Sequence, residues 1–174
     1  MRVEEITDAG LVIMRGAIEP ELSADYAAEC NDFFMNYDGE ITSTRGARSP
    51  GAIETLRLNN TITFEKLGYK SVVRVLEQLE IPRLKSFAIN LQNPHSYQRF
   101  HPDLGKQLPL IIIHPTGEGA LDYFEGQFRS EEEAIENHKT VELEPGDVIK
   151  QFLPYIHHRG FNRGDTTRLT TVSY

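Results

Sequence analysis

The chain has one cysteine, no tryptophan and few basic residues for its length. A lone thiol, Cys30, excludes an intrachain disulfide framework and any cysteine-rich zinc module, and it fits a reducing compartment. No run of ~18 apolar residues occurs, so no segment qualifies as a membrane-spanning helix. Eighteen Lys+Arg against 26 Asp+Glu leave a formal net charge of −8. A general binder of nucleic acid or of anionic membrane needs a basic footprint, so neither activity is expected, whereas a local basic pocket is still allowed. The opening MRVEEITDAG lacks the apolar stretch and small-residue cleavage site of a secretory signal, and a cytoplasmic protein is the expectation.

What is present reads as one domain over residues 1–174, long enough to bury a core without staples. Its character changes once. Residues 1–85 mix helix and strand, with residues 10–18 reading as a strand. Leu22, Tyr26, Cys30, Phe33 and Phe34 then fall on one stripe of an amphipathic helix, which predicts a buried, inert thiol. Residues 39–54 are rich in Gly, Ser, Thr and Pro and read as a long loop, a length usual for functional lids. Arg45 and Arg48 in that loop, with Arg57 after it, are weak candidates for meeting an anionic substrate; solvated surface arginines are the competing reading. A second helix is predicted around residues 69–79, with Tyr69, Val72, Val73, Leu76 and Leu79 on one face.

Residues 86–174 carry a beat of short strands, FAINLQN, SYQRFHPD, LPLIIIH, GALDYF, TVELE, GDVIKQFLP and RLTTVSY, separated by Pro, Gly and Asn turns. Such spacing predicts a mainly β fold, a sandwich or barrel, flanked by the earlier helices. Ser130 followed by Glu133 marks a capping box that starts a short acidic helix.

Histidine is where chemistry enters. His101-Pro102-Asp103 places an imidazole and a carboxylate two residues apart, hence on one face of an extended segment. Far downstream, His157 and His158 are expected to end a strand, and Arg168 stands on the last one. Two histidines and a carboxylate form the facial triad that holds non-haem Fe(II) with open positions. An arginine on the next strand offers a bidentate clamp for a carboxylate. Tyr97 and Arg99 share parity with His101 and Asp103 and are candidates for the same cavity. Asn90 and Gln92 are polar residues on an otherwise apolar strand and are pocket candidates. His114 is read as capping a strand, and His95 and His138 as surface residues.

In this order the residues resemble the Fe(II)/2-oxoglutarate-dependent oxygenases, with the phytanoyl-CoA-dioxygenase-like branch closest in texture. GEGALDYF is similar to that family's Gly-Gly-x-Leu strand, EPGDVIKQF to its Pro-Gly-Asp turn, and HRGFNRGDTTR to its His-Arg-Gly stretch and following arginine. The resemblance covers residues 86–174 and implies a double-stranded β-helix, a jelly-roll or cupin-like barrel, buttressed by N-terminal helices. It implies Fe(II) on His101, Asp103 and a distal histidine. His158, which keeps the His-Arg-Gly tripeptide, is the expected distal ligand, with His157, which places Asn162, Asp165 and Arg168 at the branch's offsets, as the alternative. Arg168, with Thr170 beside it and Tyr97 as a further candidate, would hold the co-substrate 2-oxoglutarate. Asn90, Gln92, Arg99 and, weakly, Arg45 and Arg48 would meet a small-molecule substrate. The implied reaction uses O2, hydroxylates that substrate and releases succinate and CO2; with Asp103 in place, halogenation is not expected. Two alternatives stand beside it. One is a cupin-like metal- or ligand-binding barrel, an isomerase or sensor, against which Arg168 counts. The other is hydroxylation of a nucleobase or peptide side chain; Tyr174 occupies the place of the second arginine of the DNA-repair demethylases.

Overall fold

A computed structural model describes residues 2–43 and 53–174; Arg45 and Arg48 lie outside the described residues. Among the described residues, eleven strands build two antiparallel sheets, with short helices at their outer faces. The larger sheet joins β1 (Arg2–Ile6), β2 (Leu11–Arg15), β9 (Asp147–Gln151), β6 (Leu110–His114), β11 (Arg168–Ser173), β5 (Phe87–Gln92), β4 (Ile53–Leu58) and β3 (Ile41–Ser43), in that order. The smaller joins β10 (His157–Asn162), β7 (Gly119–Phe124) and β8 (Lys139–Leu143). From β5 onward the chain passes back and forth between the two sheets, which is the winding of a double-stranded β-helix.

Burial explains the strand sequences. β6, LIIIH, is buried throughout because both faces of the large sheet are covered. Ile111 and Ile113 pack outward in a core with the helices, whereas Leu110 and Ile112 point into the barrel against Leu121, Val141 and Leu143. The helical layer is α1 (Pro20–Met35), α2 (Ile62–Leu67) and α3 (Lys70–Gln78). The stripe Leu22, Tyr26, Cys30, Phe33 and Phe34 is buried there, and burial pushes the Cys30 thiol pKa up, so it stays protonated and inert. α4 (Glu131–Asn137) starts where the capping box places it, with the Ser130 hydroxyl accepting from the Glu133 N–H.

Four expectations need correction. The first half supplies more than helices: β1 and β2 extend one edge of the large sheet, and β3 and β4 the other. Residues 39–54 are not loop throughout, because Ile41 to Ser43 pair with Leu56 to Glu54. His157 and His158 begin a strand rather than end one. SYQRFHPD is not a regular strand; its backbone pairs with β10 only at the isolated bridges Tyr97↔Phe161 and His101↔His158. Those two pairings differ in register by one residue, so the segment bulges between them and its side-chain parity reverses.

Tyr26 fastens the helical layer to the barrel: its hydroxyl lies 2.6 Å from Thr171 Oγ1 on β11, both buried. Tyr26→Phe strands the Thr171 hydroxyl and is expected to lower stability by about 1–2 kcal/mol, measured by urea unfolding. A loss within error would show that water replaces the bond.

Candidate metal centre

The barrel interior holds a cavity of about 300 Å³ that opens on one side. His101, Asp103 and His158 meet in its wall, with one donor atom from each within 4.8 Å of the others. The bridge between His101 and His158 sets this meeting, since paired residues on adjacent chains point the same way. Each imidazole has Nδ1 next to a backbone carbonyl, Arg99 O at 2.9 Å for His101 and Ile156 O at 3.3 Å for His158. A carbonyl only accepts, so Nδ1 carries the proton and Nε2 turns its lone pair inward, the arrangement metal-binding histidines use. Burial first, then the neighbouring His158, lowers the His101 pKa, which favours the neutral ring.

Asp103 is buried, and its Oδ2 lies 3.2 Å from His158 Nε2 without a hydrogen-bond partner. Its other oxygen accepts from Lys106 Nζ. Burial works against ionisation here, but a protonated His158 ring and the Lys106 ammonium outweigh it and hold the carboxyl well below the usual carboxylate range. Two acceptors turned toward each other call for a cation between them. Either a proton on His158 or a metal held by all three side chains meets that need.

The two distal candidates separate in space. His158 belongs to the trio, whereas the His157 ring stacks on Phe128 at 4.1 Å and 5° on the other side of β10. Thr170, Asn90, Gln92 and Arg99 line the cavity. Tyr97 does not. The bulge turns it outward, edge-on to Phe161 and under the Arg159 guanidinium at 4.5 Å, and Gln98 takes the inward place, its Oε1 accepting from Gly160 N at 3.0 Å. The sequence reading also missed Lys106 and Tyr174, which line the cavity and carry no local pattern that marks them.

Arg168 is the most constrained side chain of the site. It is buried at the start of β11, where Nε donates to His114 Nδ1 at 3.1 Å and Nη1 donates to Phe161 O at 2.8 Å. Among the described residues no carboxylate pairs with it, and burial alone brings its pKa down to about 10, so it is still a cation at neutral pH. Gly119 makes the space: a Cβ there would stand 2.5 Å from Arg168 Nε. His114 is therefore more than a strand cap. Its Nε2–H donates to Gly117 O at 3.0 Å and its Nδ1 lone pair takes the guanidinium.

Burial and then the Arg168 charge depress the His114 pKa to about 3. The unfolded chain, with histidine near ~6.5, takes up this proton first as pH falls. The contribution to stability is thus complete above about pH 6.5 and declines toward pH 3, by about 1.4 kcal/mol per pH unit. Urea unfolding between roughly pH 5.5 and 4 is expected to show His114→Gln losing stability less steeply than the wild type by about that slope. Equal slopes would mean that His114 protonates freely in the folded state.

No family model matches the sequence, and no curated protein matches it. Solved structures do match along nearly the whole chain. The structure of OsALKBH1 has a TM-score of 0.68 at 14% identity, covering 99% of this chain and 99% of that one. The epimerase SnoN, solved with Fe3+, alpha ketoglutarate and nogalamycin RO, has a TM-score of 0.64 at 15% identity and covers 95% of this chain and 78% of its own. A Pseudomonas putida prolyl-4-hydroxylase has 0.59 at 14% identity, covering 95% and 91%. The chain thus has the double-stranded β-helix fold of these proteins along nearly its whole length.

Proposed function

We propose that this chain is an Fe(II)- and 2-oxoglutarate-dependent oxygenase that hydroxylates a small molecule and releases succinate and CO2. The observation that carries this reading is the presence, in one cavity, of three convergent metal donors and a buried guanidinium without a carboxylate. His101, Asp103 and His158 would hold the iron, and the orphaned Asp103 Oδ2 fits a metal ligand. Bound there, Fe(II) with the 2-oxo acid supplies oxygen activation coupled to oxidative decarboxylation.

The remaining work belongs to the chain. Arg168 stands beside Gly160, and His158 is two residues further along β10, roughly 7 Å. A short dicarboxylic 2-oxo acid spans that gap with one carboxylate on Arg168 and its 2-oxo end at the trio. An uncompensated buried cation is costly by itself, so an arriving carboxylate restores the balance, and the guanidinium clamp fixes its orientation. Thr170, next inward on β11, adds a hydroxyl. Leu110, Ile112, Leu121 and Leu143 wall the cavity and exclude water from the reacting end. Lys106 keeps one Asp103 oxygen occupied, leaving the other for metal.

Anaerobic titration with Fe(II) and 2-oxoglutarate is expected to give the visible charge-transfer band of the chelate. Asp103→Ala should abolish the band, and Arg168→Ala should weaken 2-oxoglutarate by about 100-fold or more. Metal binding that ignores 2-oxoglutarate would favour a cupin-like barrel instead. With the band in hand, substrate-dependent succinate release and the mass of the product separate hydroxylation from an isomerising outcome such as epimerisation.

A further inference from the structure

The cavity is basic in an acidic chain. Arg57, Arg99, Lys106 and Arg168 line it against a single acidic side chain, Asp103, although the whole chain carries −8. Under the oxygenase reading, the double charge of Fe(II) together with Arg168 balances Asp103 and both carboxylates of 2-oxoglutarate. That leaves Arg57, Arg99 and Lys106 in excess. Lys106 already bonds Asp103; neither Arg57 nor Arg99 has a carboxylate partner among the described residues.

Arg57 stands away from Arg168. The inward residues of β4, β5 and β11 form cross-strand rows: Ile53, Gln92 and Arg168, then Thr55, Asn90 and Thr170, then Arg57, Ala88 and Val172. Arg57 is therefore four residues along the sheet from Arg168, about 13 Å. Its guanidinium reaches further still, donating from Nη1 to the Tyr174 hydroxyl at 2.7 Å. A co-substrate that bridges Arg168 and the metal trio uses about half this length. Arg57 and Arg99 are exposed and Arg168 is buried, so the second basic group marks the open end of the cavity. Tyr174 accepts from Arg57 and keeps its own O–H to donate to a ligand. Between the two ends, Thr55, Asn90 and Thr170 form a polar row, and Leu110, Ile112, Leu121 and Leu143 supply an apolar wall.

We propose that the substrate is a small carboxylic acid with an apolar body, its acid group held at the open end by Arg57 and Tyr174. The proposal rests on the oxygenase reading and names the substrate class for it. A cavity of about 300 Å³ is at the small end for ligand sites, which fits a small metabolite.

The probes are straight-chain carboxylic acids of four to eight carbons and the primary amides of the same lengths. They are titrated calorimetrically into the anaerobic Fe(II)- and 2-oxoglutarate-loaded protein. At least one acid is expected to bind about tenfold tighter than its amide or better. Arg57→Gln should erase that preference while leaving the 2-oxoglutarate band titration as in the wild type, and Tyr174→Phe should reduce it. Acids and amides binding alike, or neither binding, overturns the proposal. Arg57→Gln weakening 2-oxoglutarate itself also overturns it, because the guanidinium then serves the co-substrate. A wild-type protein that forms no 2-oxoglutarate band at all is a failure of the oxygenase reading, seen before any acid is added.

Discussion

A buried cation with no carboxylate beside it constrains this barrel more than any other single group. Taking a guanidinium out of water costs several kcal/mol unless its donors are met. Arg168 meets the cost with the Phe161 carbonyl and the His114 imidazole, and each requirement spreads outward. His114 must stay neutral, because a second cation in contact with the first has no counter-charge there; burial and Arg168 together keep it so. Its remaining proton is then committed to Gly117 O, which fixes the turn between β6 and β7. Gly119 must lack a side chain, since a Cβ would overlap the guanidinium. Strands β6, β7 and β11 are thereby locked around one charge.

The metal donors are assembled by the opposite means, an irregular segment held at a few points. Residues 97–103 pair with β10 only at Tyr97 and His101, after which Asp103 N donates to Pro154 O and the chain leaves the sheet. Pro102 has no N–H to continue a ladder. What keeps so loosely paired a segment in place is Arg159. Its guanidinium lies over the rings of Tyr97 and Phe100 at 4.5 and 4.7 Å, and its Nε donates to Asp122 at 2.9 Å. The charged pair is buried on the outer side of the small sheet, so His101 and Asp103 hang inward from a clamped strip. Leaving the ladder after His101 lets the Asp103 carboxylate turn back toward His158.

What the sequence made legible was whatever a local period or a short motif encodes. The α1 stripe, the Ser130 cap and the His101-Pro102-Asp103 triplet needed only their own neighbours to be read. Long-range register was the hidden variable. His157 and His158 sit next to each other on one strand and therefore face opposite ways; which faces inward depends on the pairing with β7 and with His101. Tyr97 was placed in the cavity by alternation, and a one-residue bulge turned it out. β1 escaped notice because it is an exposed, charged edge strand without an apolar face. His114 looked like a strand end because its partner, Arg168, is 54 residues away in sequence. Ile41 and Ile53 sit near the two ends of a Gly- and Ser-rich run, and the strands they begin are set by long-range pairing, β3 on β4 and β4 on β5.

The contrast between an acidic chain and a basic cavity follows from the range of electrostatics in salt water. Exposed charges are screened within about 10 Å, so the carboxylates on the surface of α4 or on β1 do little for a cation facing the barrel interior. A cation buried in the wall, as Arg168 is, is screened far less. Net charge thus governs solubility and the long-range approach of other molecules, whereas the ligand preference of the cavity is set by the few groups that line it. The scarcity of basic residues in the sequence excluded a broad polyanion surface. It had no bearing on whether four of them converge on one small space, and in this fold the registers of β4, β5 and β11 bring Arg57 and Arg168 to face it together.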